Sequence, residues 1–134
     1  MEFVIDTNRI IASLIKDGIS RKILLNEKFN FITPDYTISE ILKYKNEVIN
    51  KAKITNKEFE LLLSILFEKI RIIPKLEYKN SIKESINLIK DIKDIPFMAL
   101  AISSKADGIW SDDTDFKTQN KIKIFTTKDM IQII

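Results

Sequence analysis

Carboxylates are the only side chains in this sequence suited to metal binding. The chain contains no His and no Cys, which excludes imidazole and thiolate ligands, Ser-His-Asp catalysis, cysteine nucleophiles and disulfides. Its two glycines, Gly18 and Gly108, are too far apart for a phosphate-binding loop or a dinucleotide fingerprint. Carboxylate oxygens bind hard cations such as Mg²⁺ or Mn²⁺. A metal site in this protein therefore depends on acids that the fold brings together.

The composition is that of one globular domain spanning residues 1–134. The chain is 45% hydrophobic and 31% charged, which suits a packed core with a soluble surface. No apolar run approaches the about 20 residues needed to span a bilayer. The N-terminal MEFVIDTN has no basic region before its apolar stretch, so we expect no signal peptide and a cytoplasmic protein. The net charge of +3 suits a polyanionic partner, although solvated lysines explain it equally well.

Strands alternate with helices along the chain. Short runs rich in apolar residues predict five strands: Glu2–Asp6, Phe29–Thr33, Arg71–Ile73, Gly108–Ser111 and Ile122–Phe125. Capping residues and apolar spacing predict helices between and after them: Asn8–Lys16, Ser20–Lys28, Asp35–Lys51, one opened by a Thr55–Glu58 capping box, Asn80–Ile89, one capped by Asp94, and one from Lys128. This alternation indicates an α/β domain with a parallel sheet covered by helices on both faces.

The predicted topology brings several acids to one edge of the sheet. In a parallel sheet, ligands collect beyond the carboxyl ends of the strands. Asp6 ends the first strand, and Asp112, Asp113 and Asp115 follow the fourth. Asp6 is the hardest of these acids to explain as an ordinary solvated residue, because an unpaired charge at the end of a buried strand is unfavourable.

Two further acids reach this edge through helices. Glu40 lies within about two turns of the start of the helix that follows the second strand. Asp94 begins the helix that leads into the fourth strand. Each acid also has a simpler explanation: Asp94 as a helix N-cap, Glu40 as a solvated residue, and the run Asp112–Asp115 as a polar turn. Carboxylates gathered this closely repel one another, so the cluster makes physical sense around a cation.

Four segments in this order resemble the motifs of PIN-domain nucleases. They are Asp6-Thr7-Asn8, Ser39-Glu40-Ile41, the stretch Asp94–Ala101 (DIPFMALA), and Ala106–Phe116 (ADGIWSDDTDF). The resemblance covers essentially the whole chain and implies a strand order of 3-2-1-4-5. It also implies site roles: catalytic metal ligands Asp6, Glu40, Asp94 and Asp113, an extra ligand Asp115, and neighbouring residues Thr7, Asn8, Ser111 and Asp112. Because Asp112 and Asp113 are adjacent, either of them could be the fourth ligand. The register set by Asp115-Phe116 favours Asp113.

The function implied by this resemblance is hydrolysis of RNA phosphodiester bonds with Mg²⁺ or Mn²⁺. A small PIN domain standing alone is most similar to the VapC-type toxin of a toxin–antitoxin pair, which implies a homodimer and a small antitoxin partner. An RNA-processing PIN endonuclease is the main alternative. A Mg²⁺-binding receiver domain is a more distant one, since its phosphoacceptor would end the third strand, where Arg71-Ile72-Ile73 offers no acid.

Basic and aromatic residues near the same edge suggest contacts with RNA. Arg9, Lys43 and Lys45 are candidates for steering phosphates, although solvation explains any one of them. Tyr44 and Trp110 are candidates for stacking on bases, but Trp110 lies in a predicted strand and is expected in the core.

Overall fold

The computed structural model describes residues 1–134 and contains one five-stranded sheet. Its strands are β1 (Glu2–Ile5), β2 (Asn30–Pro34), β3 (Ile70–Ile73), β4 (Gly108–Trp110) and β5 (Ile124–Phe125). Their order is β3-β2-β1-β4-β5, and every neighbouring pair is parallel. The predicted fold class and strand order are confirmed.

Nine α-helices connect and flank the strands. They are α1 (Thr7–Ile15), α2 (Ile19–Leu24), α3 (Tyr36–Lys43), α4 (Lys45–Ala52), α5 (Asn56–Phe67), α6 (Lys75–Tyr78), α7 (Ile82–Leu88), α8 (Ile95–Ser104) and α9 (Thr127–Ile133). Short 3₁₀ turns cover Lys79–Ser81, Ile92–Asp94 and Thr114–Thr118. None of the helices combines the length and the apolar character needed to cross a membrane.

The sheet is buried on both faces because the side chains of each strand alternate between two cores. Phe3 and Ile5 of β1 pack with α1, α2, α4, α5 and α9, whereas Val4 between them packs with α6 and α8. Trp110 is fully buried in the first of these cores, as expected, with its ring centroid 5.5 Å from that of Phe31. A sheet covered on both faces leaves its carboxyl edge as the natural place for a site.

Several helix boundaries differ from the predictions. The helix predicted over Asp35–Lys51 is two helices, because Tyr44 leaves the helical conformation (φ −97°, ψ 7°) and α4 then packs on α1. Asp35 occupies the N-cap position of α3, but its side chain makes no capping hydrogen bond. Its carboxylate instead accepts hydrogen bonds from Lys75 N (3.1 Å) and Tyr78 OH (2.8 Å), which ties α3 to α6. By contrast, the capping box of Thr55 and Glu58 is confirmed.

The second helix was also misplaced. It begins at Ile19 with Gly18 as its N-cap, so Ser20 is inside the helix, and it ends at Leu24. The buried hydroxyl of Ser20 instead accepts a hydrogen bond from the Arg9 guanidinium. Its contact is therefore with α1 across the helix pair, and it does not cap the helix start.

Candidate active site

Asp6 lies where β1 ends and α1 begins, and its side chain accepts hydrogen bonds from α1 and from the residue that follows β4. Its Oδ1 accepts a hydrogen bond from Arg9 N at 2.9 Å, which makes Asp6 the N-cap of α1. Its Oδ2 accepts a hydrogen bond from the Ser111 hydroxyl, which comes from the end of the neighbouring strand. The residue is buried, and this burial raises the pKa of its carboxyl from 3.8 to about 6, although both hydrogen bonds oppose the shift.

Glu40 is held by a row of threonine hydroxyls rather than being free in solvent. The Thr7 hydroxyl donates to Glu40 Oε1 and lies 3.2 Å from the Thr37 hydroxyl, which in turn lies 2.9 Å from that of Thr33. All three threonines are buried, and Glu40 is half-buried. Burial is the main cause of the raised pKa of Glu40, and the positive charge of Lys93 partly offsets it. The interpretation of Glu40 as an ordinary solvated residue is wrong.

Asp94 precedes α8, but its side chain does not cap that helix. It makes no hydrogen bond to the first turn, and its Oδ2 is a buried oxygen without a hydrogen-bond partner. Capping therefore does not explain this acid. Burial raises the pKa of Asp94 from 3.8 to about 7, and neighbouring negative charges add to the shift: in decreasing order Asp113, Asp91, Asp115 and Asp6.

The adjacent residues Asp112 and Asp113 point to different surroundings. Asp112 accepts hydrogen bonds from Thr127 N (2.7 Å) and Thr127 Oγ1 (2.6 Å) and forms an ion pair with Arg9 Nη1 at 2.9 Å. Asp113 instead lies beside Asp94, and its Oδ1 accepts a hydrogen bond from Asp115 N at 2.9 Å. The carboxylate of Asp112 is therefore occupied by structural contacts, whereas that of Asp113 faces the acidic site.

A small pocket of about 50 Å³ brings the predicted residues together. It is lined by Asp6, Thr7, Asn8, Glu40, Lys93, Asp94, Phe97 and Asp113. Asp115 does not line it, but carboxylate oxygens of Asp115, Asp91 and Asp94 lie within 4.8 Å of one another beside it. Ser111 adjoins the pocket through Asp6, and Asp112 lies outside it.

Sequence reasoning missed Asp91, Lys93 and Thr37. Asp91 caps the short 3₁₀ turn before α8 and Lys93 lies within it, where no apolar periodicity marks which side chains face the site. The spacing Asp91-x-x-Asp94 was the available signal, because residues three apart share one side of a helical turn. Thr37 is fully buried within α3, and the sequence alone gives no sign of its bond to Thr7.

The basic residues proposed for phosphate steering have intramolecular partners. Arg9 is paired with Asp112, and Lys45 lies 3.7 Å from Glu60 Oε1 and over the Phe59 ring. Lys43 lies over the Tyr44 ring, with its Nζ 5.7 Å from the centroid. Tyr44 itself is half-buried against the core. The cation that lines the acidic pocket is Lys93.

These residues fit a divalent cation. The donors are carboxylates and hydroxyls, the ligand types that Mg²⁺ and Mn²⁺ prefer. The unpaired buried Oδ2 of Asp94 lacks a partner that a cation would supply. Burial raises the pKa of both Asp6 and Asp94, and at Asp94 the neighbouring negative charges add to the shift; a cation at the pocket would favour the charged form of both acids.

The fold and the pocket define an α/β domain of order 3-2-1-4-5 with a carboxylate cluster beyond the ends of its central strands. The family model for the PIN domain matches residues 4–132, and the chain belongs to the PIN domain family. This assignment rules out the receiver-domain alternative and supports the expectation of a nuclease.

A solved structure shares the fold. The crystal structure of VapBC2 from Rickettsia felis, bound to a DNA fragment from the VapBC2 promoter, contains a similar chain. The two chains superpose with a TM-score of 0.68 at 16% identity. The match covers 94% of this chain and 98% of that one. A search of curated proteins finds no match.

Proposed function

We propose that the protein is a Mg²⁺- or Mn²⁺-dependent endoribonuclease and the toxin of a VapBC-type toxin–antitoxin pair. The observation that carries the nuclease part is the convergence of Asp6, Glu40, Asp94 and Asp113 on one pocket at the carboxyl edge of the sheet. These four acids, distant in sequence, would hold the metal, with Asp115 as an additional ligand. Family membership supports the reaction class.

Each residue has a defined part in this proposal. When bound, the metal polarises a water molecule, lowers its pKa and neutralises charge on the phosphate undergoing hydrolysis. Ser111 and Arg9 N hold both oxygens of Asp6 in place, and Thr7 orients Glu40. Such hydrogen bonds to ligands fix the geometry that in-line attack requires. Asn8 lines the pocket, where its amide can bind the phosphate.

The toxin part of the proposal rests on likeness of fold. The chain and its VapBC2 counterpart correspond over 94% of this chain and 98% of that one, so the likeness extends over the whole PIN domain. A small antitoxin partner, a homodimer and a cytoplasmic location belong to the same proposal. Expression of the wild-type protein without its antitoxin should arrest growth of the host cell, whereas expression of Asp94→Asn should not.

Metal-dependent RNA cleavage tests the nuclease part. Purified wild-type protein should cleave a single-stranded RNA with Mn²⁺ and lose this activity in chelator. Millimolar Mn²⁺ should also raise its melting temperature, since a ligand at about 100 times its Kd stabilises the folded state by about 2.7 kcal/mol. Asp94→Asn should abolish both effects, and Glu27→Gln, an exposed acid without a hydrogen bond, should preserve them.

Two results would contradict the proposal in different ways. A wild-type melting curve indifferent to divalent metal, together with intact RNA, would refute the nuclease. Metal-dependent cleavage without growth arrest would leave the nuclease standing and refute the toxin.

A further inference from the structure

Lys93 is an unpaired cation in an otherwise acidic pocket. It is the only basic residue among the eight that line the pocket, and four of the others are carboxylates. Its side chain is exposed and takes part in none of the six ion pairs of the protein. Its backbone N donates a hydrogen bond of 3.0 Å to Asp91 Oδ1, which fixes the turn that presents the side chain. The ammonium group is therefore placed at the pocket without being neutralised.

The location of this charge matters because the acidic pocket by itself repels a nucleic acid. A polyanionic strand approaching Asp6, Glu40, Asp94 and Asp113 meets negative charge until a cation is bound. Lys93 is close enough to act electrostatically on Glu40, whose pKa its charge lowers against the effect of burial. Divalent metal bound to the acids would satisfy them and leave the ammonium free for another anion. A lysine acts on phosphate as a mobile point charge with three donors.

We propose that Lys93 binds a non-bridging phosphate oxygen of the RNA strand held at the acidic pocket. This inference rests on the proposed nuclease function and assigns it a substrate-binding residue. A contact between Lys93 and a phosphate exists before and during cleavage, so its removal should weaken substrate binding much more than it slows the chemical step. The contact carries no base information, so the loss should be the same for RNAs of different sequence.

The competing role for Lys93 is an internal counter-ion for the carboxylates. In that role Lys93→Gln would remove a charge that competes with metal, so Mn²⁺ would bind more tightly and RNA binding would not change. The two roles therefore predict different measurements on the same variant. Lys93→Arg retains the positive charge, and Lys90→Gln removes an equivalent exposed charge three residues away, outside the pocket.

The test compares these three variants with wild type in single-turnover cleavage of a short RNA at saturating Mn²⁺. Lys93→Gln should raise the half-saturating concentration about tenfold while the maximal rate falls less than about threefold, as expected for a uniform binding contact. The dependence of log affinity on log salt concentration should become shallower by about 0.7, corresponding to one lost phosphate contact on a single strand. Lys93→Arg should stay close to wild type. Lys90→Gln should match wild type in both the half-saturating concentration and the maximal rate.

Fluorescence anisotropy with the same RNA gives a readout that does not depend on cleavage. Equal RNA affinity for wild type and Lys93→Gln, with or without tighter Mn²⁺ binding in melting experiments, would overturn the inference. Loss of affinity matched by Lys90→Gln would also overturn it, because the effect would then be one of net charge. Should wild type cleave no RNA, the nuclease proposal fails, and anisotropy alone still decides whether Lys93 binds the phosphates.

Discussion

Exchanging each of the adjacent acids Asp112 and Asp113 for its amide should produce opposite effects on stability and activity. Asp112→Asn removes the charge that pairs with Arg9 and weakens two short bonds to Thr127. Asp113→Asn keeps an oxygen that can accept the bond from Asp115 N and removes a negative charge beside Asp94. The first change should therefore destabilise the metal-free protein, and the second should leave its stability unchanged or raise it.

The contacts of Asp112 set the size of the stability effect. Hydrogen bonds to charged groups contribute about 1.5–3 kcal/mol, but the Asp112 side chain is 38% exposed, which reduces the loss to about 1–2 kcal/mol. An unfolding entropy of about 2.1 cal/mol/K per residue gives about 0.28 kcal/mol/K for 134 residues. The melting temperature of Asp112→Asn should therefore fall by about 4–7 °C.

The loss of cleavage rate should follow the opposite order and be larger for Asp113→Asn than for Asp112→Asn. Asp113→Asn should lose about 100-fold or more in single-turnover rate at saturating Mn²⁺, since it removes a carboxylate from the pocket itself. Asp112→Asn should lose about tenfold or less, because its contacts lie on the other side of the loop. Calorimetry in chelator and cleavage of a short RNA measure the two effects. An Asp112→Asn protein that melts like wild type yet is the less active of the two would refute the assignment, and the site would shift by one residue.

Two further predictions concern the stability of the metal-free protein. Asp94→Asn should raise the melting temperature in chelator, and by less at pH 5 than at pH 8. The folded-state pKa of about 7 lies above the usual 3.8, so wild type loses stability as pH rises through that interval, and a pH-independent difference would contradict this. Gly108→Ala should cost about 1–3 kcal/mol, because its Cβ would lie 2.5 Å from Lys123 O and 2.7 Å from the Phe125 ring. Gly18→Ala, with only flexible Lys16 atoms at 3.5 Å or more, is the control, and equal melting temperatures for the two variants would show that β4 and β5 can separate.

The sequence was sufficient to predict where the acids meet, because that depends on topology. Asp6 and Asp113 follow neighbouring parallel strands, and Asp94 starts the helix that leads into one of them, so strand order alone brings them to one edge. Secondary-structure patterns determine such placements even when boundaries are uncertain by a residue or two. The predicted pocket residues Thr7 and Asn8 followed in the same way from their position after β1.

What the sequence did not predict depends on side-chain partners from distant segments. Nothing near Arg9 in the sequence indicates that Asp112 pairs with it, and this pairing gives Arg9 an intramolecular partner. Asp94 has the sequence position of a helix cap, and only the three-dimensional packing shows that its carboxylate turns toward the other acids instead. Local capping rules compare the bonds available within one turn, and here the tertiary surroundings decide the side-chain orientation.

The row of threonine hydroxyls next to Glu40 has a fixed number of hydrogens, and whether they fill every contact in the row depends on the charge of Glu40. Thr33 donates its single hydroxyl hydrogen to Ile5 O, so the 2.9 Å bond between Thr33 and Thr37 must use the hydrogen of Thr37. With Glu40 ionised, Thr7 donates to that carboxylate, and no hydrogen remains for the 3.2 Å approach of Thr7 to Thr37.

A proton added to Glu40 closes this gap. The acid then donates to Thr7, Thr7 to Thr37, Thr37 to Thr33 and Thr33 to the backbone of β1, so every hydroxyl is satisfied in one direction. The ionised form leaves one oxygen pair facing each other without a hydrogen between them. The direction of the Thr7 hydroxyl therefore reverses with the charge of Glu40, whereas Thr37 and Thr33 donate in the same direction in both states.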